Sequence, residues 1–366
     1  MTRTKIGYIG LDHHHRDPYF QVIDQLPAEL IAGCEPNEDF DVDSIAAVQD
    51  RPDAISSEDL DVGSMIDNAA VYRDPEELIA AEDVDVVWLT LPNRDTPAVI
   101  ESAIDEGVHV LSEKTAARTA GDLEPLADRT EETGVTVGVT YFYRTHPAAK
   151  EMRQLDQEGF FGDVWSIESR YIGSKLAMRN TSHFEYDKEA SRGGVLQWLG
   201  VHWIDLIMYI LDEPITRVNA RTRNYAGAEI EDGAAVQFEM ASGTIGTFQN
   251  GYYLESPEKD STFAIYGSDG TARSSVTKGE EPISLELSSY SEEWMGAPDR
   301  TIDFDLAYDE LPSWGDTVLE FFQKFFDAIE SDEQVPADIR DGVAVLKVLD
   351  AIYESAETGE WVDTGC

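Results

Sequence analysis

From residue 4 to about residue 140 the chain alternates between two periods. Short apolar runs at Lys5–Ile9, Glu29–Cys34, Asp85–Leu91, Val108–Leu111 and Val135–Thr140 are too brief for helices and read as buried strands. Between them, Pro75–Ala81, Pro97–Glu106 and Asp122–Thr133 repeat their apolar positions at helical spacing and open on proline or an acid, as helix starts do. Strand and helix in alternation predict β-α-β units, hence a parallel sheet covered by helices. The acidic stretch from Glu38 to Asp67 is longer than an ordinary connection, which predicts an amphipathic helix and a solvated loop there.

After a helical segment at His146–Glu158 the pattern changes. Alternating runs at Val164–Gly173, Ile215–Arg223, Ala234–Met240, Thr244–Tyr253 and Thr262–Tyr266, separated by glycine-containing turns, predict an antiparallel sheet. A helix over Val195–Leu211 interrupts it, and two more close the chain at Trp314–Ile329 and Ile339–Ala356. The stripe Trp314, Val318, Phe321, Phe322 and Phe325 follows helical spacing and predicts a core-facing side. At 366 residues the chain exceeds what one core usually supports. The fold class is therefore α/β in two domains, a doubly wound parallel sheet over residues 1–145 and an α/β domain over residues 146–366 whose last helices pack back.

Composition changes the picture through charge. The chain carries 73 Asp and Glu against 27 Lys and Arg, a net charge of -46 spread along its whole length. That balance argues against nucleic acid and anionic membranes as partners. Self-repulsion at this density disfavours the compact state in dilute buffer, whereas at about 1 M salt the screening length falls to about 3 Å, which predicts a halophilic setting. Met1-Thr2-Arg3-Thr4 leads straight into a strand, and no apolar run approaches the roughly 20 residues that span a bilayer, so a cytoplasmic location is expected. Cys34 and Cys366 form no disulfide framework and suit a reducing compartment.

The first strand ends in Gly10, where the following turn and helix N-terminus form the usual seat of a dinucleotide pyrophosphate. Asp12 and His15 stand at the second and third glycine positions of G-x-G-x-x-G. A carboxylate about 4 Å from a phosphate costs on the order of 4 kcal/mol at an effective dielectric of 20, so Asp12 is read as a helix cap, with His13, His14, His15 and Arg16 beside it as donors. Three adjacent imidazoles do not readily converge on one ion, and no metal site is expected. Glu35 ends the second strand where an acid bonds a ribose 2′-hydroxyl. It would repel a 2′-phosphate, and no arginine follows closely in sequence, which favours NAD over NADP.

Two further motifs carry a resemblance: Ser112-Glu113-Lys114-Thr115 after a strand, and Gly193-Gly194-Val195-Leu196-Gln197-Trp198-Leu199-Gly200-Val201-His202-Trp203-Ile204-Asp205. With Thr90-Leu91-Pro92-Asn93, Tyr143-Arg144-Thr145-His146-Pro147 and Glu231-Asp232-Gly233-Ala234-Ala235, in this order, the chain resembles the Gfo/Idh/MocA oxidoreductases over nearly its full length. The resemblance implies a Rossmann domain followed by a domain whose open, mainly antiparallel sheet builds a homodimer or homotetramer. It also implies a sugar or polyol substrate. Lys114 inherits a catalytic role by position, and the bottom-up reading agrees, because a lysine at the carboxyl end of a parallel strand faces the ligand crevice. His202 matches the family's histidine and suits proton transfer near neutral pH. Gly10, Leu11, Asp12, His15, Glu35, Leu91, Pro92, Asn93 and Glu113 are the expected cofactor contacts; Arg144, His183 and Trp198 are the expected substrate contacts.

Two departures stand out. Trp198 occupies the position four residues before His202 where the family usually has an aspartate, so the usual proton relay is in question, and Trp198 is read as a sugar-ring platform or a core residue. Thr96 replaces a frequent histidine after the Pro-Asn turn, which is expected to affect helix geometry. Three functions stay open at this level: an NAD-dependent dehydrogenase, a glycosidase or epimerase that recycles its NAD, and a ligand sensor that keeps the fold.

Overall fold

The computed structural model describes residues 3–40, 69–179, 181–255, 259–274, 283–304, 316–331 and 333–366. Most of the predicted helix and loop between Glu38 and Asp67, and Trp314, lie outside the described residues. The chain forms two compact units, Met1–Thr140 with Tyr308–Val343, and Tyr141–Ala307 with Ala344–Cys366.

The first unit runs β1 (Thr4–Ile9), α1 (Arg16–Gln25), β2 (Ala28–Cys34), β3 (Ala70–Tyr72), α2 (Pro75–Ala81), β4 (Val86–Leu89), α3 (Thr96–Glu106), β5 (His109–Ser112), α4 (Ala120–Thr133) and β6 (Val137–Val139). Its strands form one parallel sheet in the order β3-β2-β1-β4-β5-β6. Ile6, Tyr8 and Ile9 of β1 and all of β4 are shut off from water, as strands covered on both faces must be. Local chemistry starts and stops the helices: Asp74 accepts from the Glu76 N–H at 2.9 Å ahead of Pro75, Thr119 and Asp122 make a capping box, and α3 and α4 end on left-handed Gly107 and Gly134. The order reverses between β1 and β4, so the carboxyl ends of these strands and β5 border the switch point at which open α/β sheets bind ligands.

The second unit contains α5 (Pro147–Gln157), β7 (Val164–Ser174), α6 (Val201–Leu211), β8 (Ile215–Arg223), β9 (Gly233–Met240), β10 (Ile245–Leu254), β11 (Asp260–Gly267), β12 (Gly270–Ser274), β13 (Ile283–Ser289), β14 (Asp299–Phe304) and the short β15 (Val362–Asp363). They form a sheet in the order β14-β13-β12-β11-β7-β10-β9-β8-β15, antiparallel except that β7 pairs β10 in parallel. A π-turn at Leu196–Gly200 runs directly into α6. The stretch Lys188–Leu211 passes for a bilayer span by length and mean hydropathy, but 78% of its apolar window is buried. It is the core element of this unit.

Two helices close the chain, α7 (Asp316–Ser331) and α8 (Ile339–Thr358). The α7 stripe is core: Phe321, Phe322 and Phe325 are fully buried, and within the first unit Phe322 packs on Tyr19 and Trp88 at ring distances of 5.4 and 4.4 Å.

Candidate active site

The turn after β1 is built around Gly10. Its φ of +107° is a left-handed-side conformation, and a Cβ there would lie 2.5 Å from the Thr90 carbonyl oxygen. Gly10 N–H donates to the Cys34 carbonyl and the Thr90 hydroxyl donates to the Gly10 carbonyl at 2.8 Å, fixing the ends of β1, β2 and β4 together. This is the tight-turn role of the first glycine in a dinucleotide motif. Leu11 is buried, and Arg16 donates to its carbonyl at 2.9 Å.

Asp12 does not cap α1. The cap position belongs to His15, and the Asp12 carboxylate instead accepts from Asn37 Nδ2 at 3.2 Å. The reason is Glu35: its buried carboxylate accepts the backbone N–H groups of Asp12 at 2.7 Å and of Asn37 at 2.8 Å, which draws Asp12 toward β2 and away from the helix axis. Burial pushes the Glu35 carboxyl above its ordinary value, partly offset by those two N–H groups. The rings of His13, His14 and His15 pack on one another at 4.1 to 4.9 Å, filling the place that glycines leave open. Thr96 begins α3 buried and donates to the Pro92 carbonyl at 3.0 Å, so it closes the Leu91-Pro92-Asn93 turn; Asn93 is buried there.

At the end of β5, Glu113 and Lys114 are 5% and 4% exposed, and their charged groups meet at 3.2 Å. Three other residues converge on the same carboxylate: His15 Nδ1 lies at 3.3 Å, Tyr19 of α1 donates its hydroxyl, and Thr140 after β6 donates at 2.7 Å. Thr140 Oγ1 also accepts the Lys114 N–H at 3.0 Å. Burial alone would raise the Glu113 carboxyl, but the Lys114 ammonium, His15 and the Tyr19 hydroxyl outweigh it and hold the group well below the usual carboxylate range. An ammonium is thereby held just past the carboxyl end of β5, the strand next to β4 of the switch point.

In the second unit, His202 sits on α6, 3% exposed, with Tyr143 and Phe142 rings at 5.0 and 5.3 Å. Arg144 is turned to Asp205, with Nε and Nη2 on its carboxylate at 3.0 and 2.6 Å, a buried bidentate pair one helical turn beyond His202. His183 is buried and packs at a tilt on Phe184, ring centres 4.1 Å apart; Trp198 is 4% exposed and its indole N–H donates to the Glu185 carbonyl at 2.7 Å. Trp198 thus ties the His183–Tyr186 turn to the glycine-rich helix. The start of that helix is held by Glu231, which accepts from the N–H groups of Gly194 and Leu196 at 2.8 and 3.0 Å and from the Tyr353 hydroxyl at 3.1 Å.

Sequence reasoning missed Tyr19, Thr140, Glu231 as a cap, and Arg73. No arginine follows Glu35 closely in sequence, yet the fold brings Arg73 to it, donating to the Glu35, Asn37 and Phe40 carbonyls at 3.3, 2.9 and 3.1 Å.

Residues 38–141 match the family model described as an oxidoreductase family, NAD-binding Rossmann fold, and residues 149–273 match the Gfo/Idh/MocA C-terminal domain. The chain belongs to the Gfo/Idh/MocA oxidoreductase family. It is similar to levoglucosan dehydrogenase of Pseudarthrobacter phenanthrenivorans, 24% identical over 76% of this chain and 79% of the relative. It is also similar to an NADP-dependent D-xylose 1-dehydrogenase of Haloferax volcanii, 25% identical over 76% of this chain and 80% of that one. Among solved structures, a levoglucosan dehydrogenase in complex with NADH and levoglucosan superposes with a TM-score of 0.81 at 19% identity, covering 99% of this chain and 100% of the other, which establishes the shared fold.

Proposed function

We propose that this family member is an NAD(P)-dependent dehydrogenase that moves a hydride to or from a secondary alcohol or hemiacetal carbon of a sugar, polyol or derivative. The observation that carries the reading is the buried Lys114 ammonium anchored by Glu113 at the carboxyl end of β5, beside the β1/β4 switch point. The sugar dehydrogenases among its relatives support the substrate class.

The Gly10 turn and the buried acid Glu35 fit a dinucleotide, and the packed imidazoles of His13 to His15 would offer its phosphates donors in place of glycine amides. When bound, the nicotinamide supplies the hydride acceptor or donor. The chain's own task is the proton. Lys114 holds a positive charge where an alkoxide develops, and His202 takes or returns the hydroxyl proton. Arg144 and Asp205 fix the helix that carries His202, and His183 borders the substrate.

Glu35 favours NAD, because a 2′-phosphate would meet a carboxylate; Arg73 is a group that would soften that preference, since it donates to the same loop. The test is turnover of neutral and acidic sugars and polyols in molar salt with NAD and with NADP, followed by reduced-nicotinamide absorbance. Reduction of NAD that disappears in Lys114→Ala supports the reading; turnover that survives that substitution sinks it. The net charge of -46 also supports a high-salt cytoplasmic setting, which a circular-dichroism salt series tests: full folding and stability in dilute buffer would remove it.

A further inference from the structure

Beside the loop that carries His183, Arg179 is partly shielded from water and has no carboxylate partner among the described residues. In so acidic a chain most comparably shielded arginines have one, Arg300, over the Phe160 and Trp294 rings, being another that shows ring contacts instead. Arg16, Arg144, Arg153 and Arg192, which are at least comparably shielded, each hold an Asp side chain. Arg179 is instead framed by hydroxyls and rings. Its guanidinium carbon lies 4.2 Å from the centre of the Tyr252 ring, Nε donates to the Ser174 carbonyl at 3.1 Å, and the Tyr186 phenol hydrogen-bonds its side chain. Tyr186 closes the turn that His183 caps and Trp198 anchors, and Tyr252 packs with Leu176 and with Val195 at the start of the glycine-rich helix. A guanidinium has five N–H donors in a planar fork, and the contacts named here leave part of that fork for a planar or tetrahedral anion.

We infer that Arg179, with the Tyr186 hydroxyl, is the specificity element of the substrate site and recognises an anionic group, a carboxylate or a phosphate, on the sugar or polyol. This deepens the proposed function and rests on it for the location of the substrate. A contact pair of this kind is shielded and hydrogen-bonded, so it survives the short screening length of molar salt, where long-range repulsion from the acidic surface does not. High salt is then the medium in which an acidic substrate approaches an acidic protein without penalty and is held by one arginine.

The test is calorimetric binding to the NAD-saturated full-length protein in molar KCl, using matched probes: D-glucose against D-glucuronate, D-glucose against D-glucose 6-phosphate, and glycerol against D-glycerate. The carboxylate and phosphate arms separate the two sources of negative charge. In at least one pair the acidic member should bind about 10-fold or more tightly than its neutral partner, as one charge-assisted fork supplies. Arg179→Gln should erase that preference, Arg179→Lys should retain part of it, and Tyr186→Phe should weaken it with the arginine intact. Equal affinity within every pair, or a preference untouched by Arg179→Gln and Tyr186→Phe, overturns the inference. Neutral sugars turned over with no gain from acidic groups would leave the dehydrogenase reading standing and this one refuted, whereas acid-selective binding without hydride transfer would do the reverse.

Discussion

Glu113 in the first unit and His146 in the second are both almost sealed from water, at 5% and 2% exposure, yet they end in opposite states of charge. Glu113 has four partners, Lys114, His15, Tyr19 and Thr140, and stays ionised. His146 caps α5, its Nδ1 accepting the Ala148 N–H at 3.2 Å, so the remaining proton sits on Nε2, which is buried with no hydrogen-bond partner among the described residues. Burial, with the nearby Lys150 ammonium adding to it, pushes its pKa down to about 3. What decides ionisation inside this protein is the number of compensating groups, not depth. One unit therefore carries a buried charge beside the proposed chemistry, and the other a buried neutral imidazole that only shapes a helix start.

The comparison is sharpened first at the charge itself. Lys114→Ala should lower kcat by roughly 10² to 10⁴, the usual worth of a positioned proton-handling or charge-stabilising group, with NAD affinity little changed; equal losses in both would make Lys114 a structural residue. Next comes a buried carboxylate of the second unit, Asp205, whose partner Arg144 cannot discharge. Asp205→Ala should cost about 3–5 kcal/mol in denaturant unfolding by stranding the guanidinium, and Arg144→Met with Asp205→Leu together should recover most of it. No recovery in the double variant would mean that the pair is needed for more than its own charge balance.

Glu113→Gln should destabilise by about 1.5–3 kcal/mol at pH 7, the range for hydrogen bonds to a charged group. The sign in pH follows from its lowered value: the contribution is full above the unfolded carboxyl pKa of about 4.3 and is lost only as pH falls through the folded value. The two proteins should therefore converge in strong acid, and a constant gap down to the acid unfolding limit would contradict the network. His146 gives the smallest effect at neutral pH and the opposite dependence. Below about pH 6.5 the unfolded chain binds a proton that the folded one refuses, so stability falls from there toward pH 3 by up to about 1.4 kcal/mol per unit. His146→Asn keeps a cap without a titrating ring and should flatten that part of the curve; an unchanged slope assigns the acid sensitivity elsewhere.

The fold was legible wherever burial on both faces left an unbroken apolar run, as in β1 and β4, or where caps marked the ends, as at α2. It was illegible where strands are short or half-solvated: β3 is partly exposed throughout, and β14 alternates between exposed and half-buried positions, so neither has an apolar run to read. The parallel β7–β10 pairing was also hidden, because alternation along a strand does not say which neighbour it takes. At the site, Glu113 and Lys114 were readable from their place after a strand. Their supporters were not, since Tyr19 reaches Glu113 across 94 positions and Arg73 reaches Glu35 across 38, and hydroxyl or guanidinium donors carry no spacing signal at such distances.

A consequence follows from Gly193 and Gly194. A methyl group on the first would meet the Tyr353 hydroxyl at 1.9 Å, and on the second the Glu231 carbonyl oxygen at 2.0 Å. Either would pry apart the clasp from which the helix bearing His202 departs, and because a helix is stiff, the imidazole two turns downstream would swing with it. The aim of the imidazole proposed to handle the proton is set remotely by two missing carbon atoms, so alanine at either site is expected to produce a folded protein whose pH optimum and stereochemical fidelity drift, although the His202 side chain itself has not been altered.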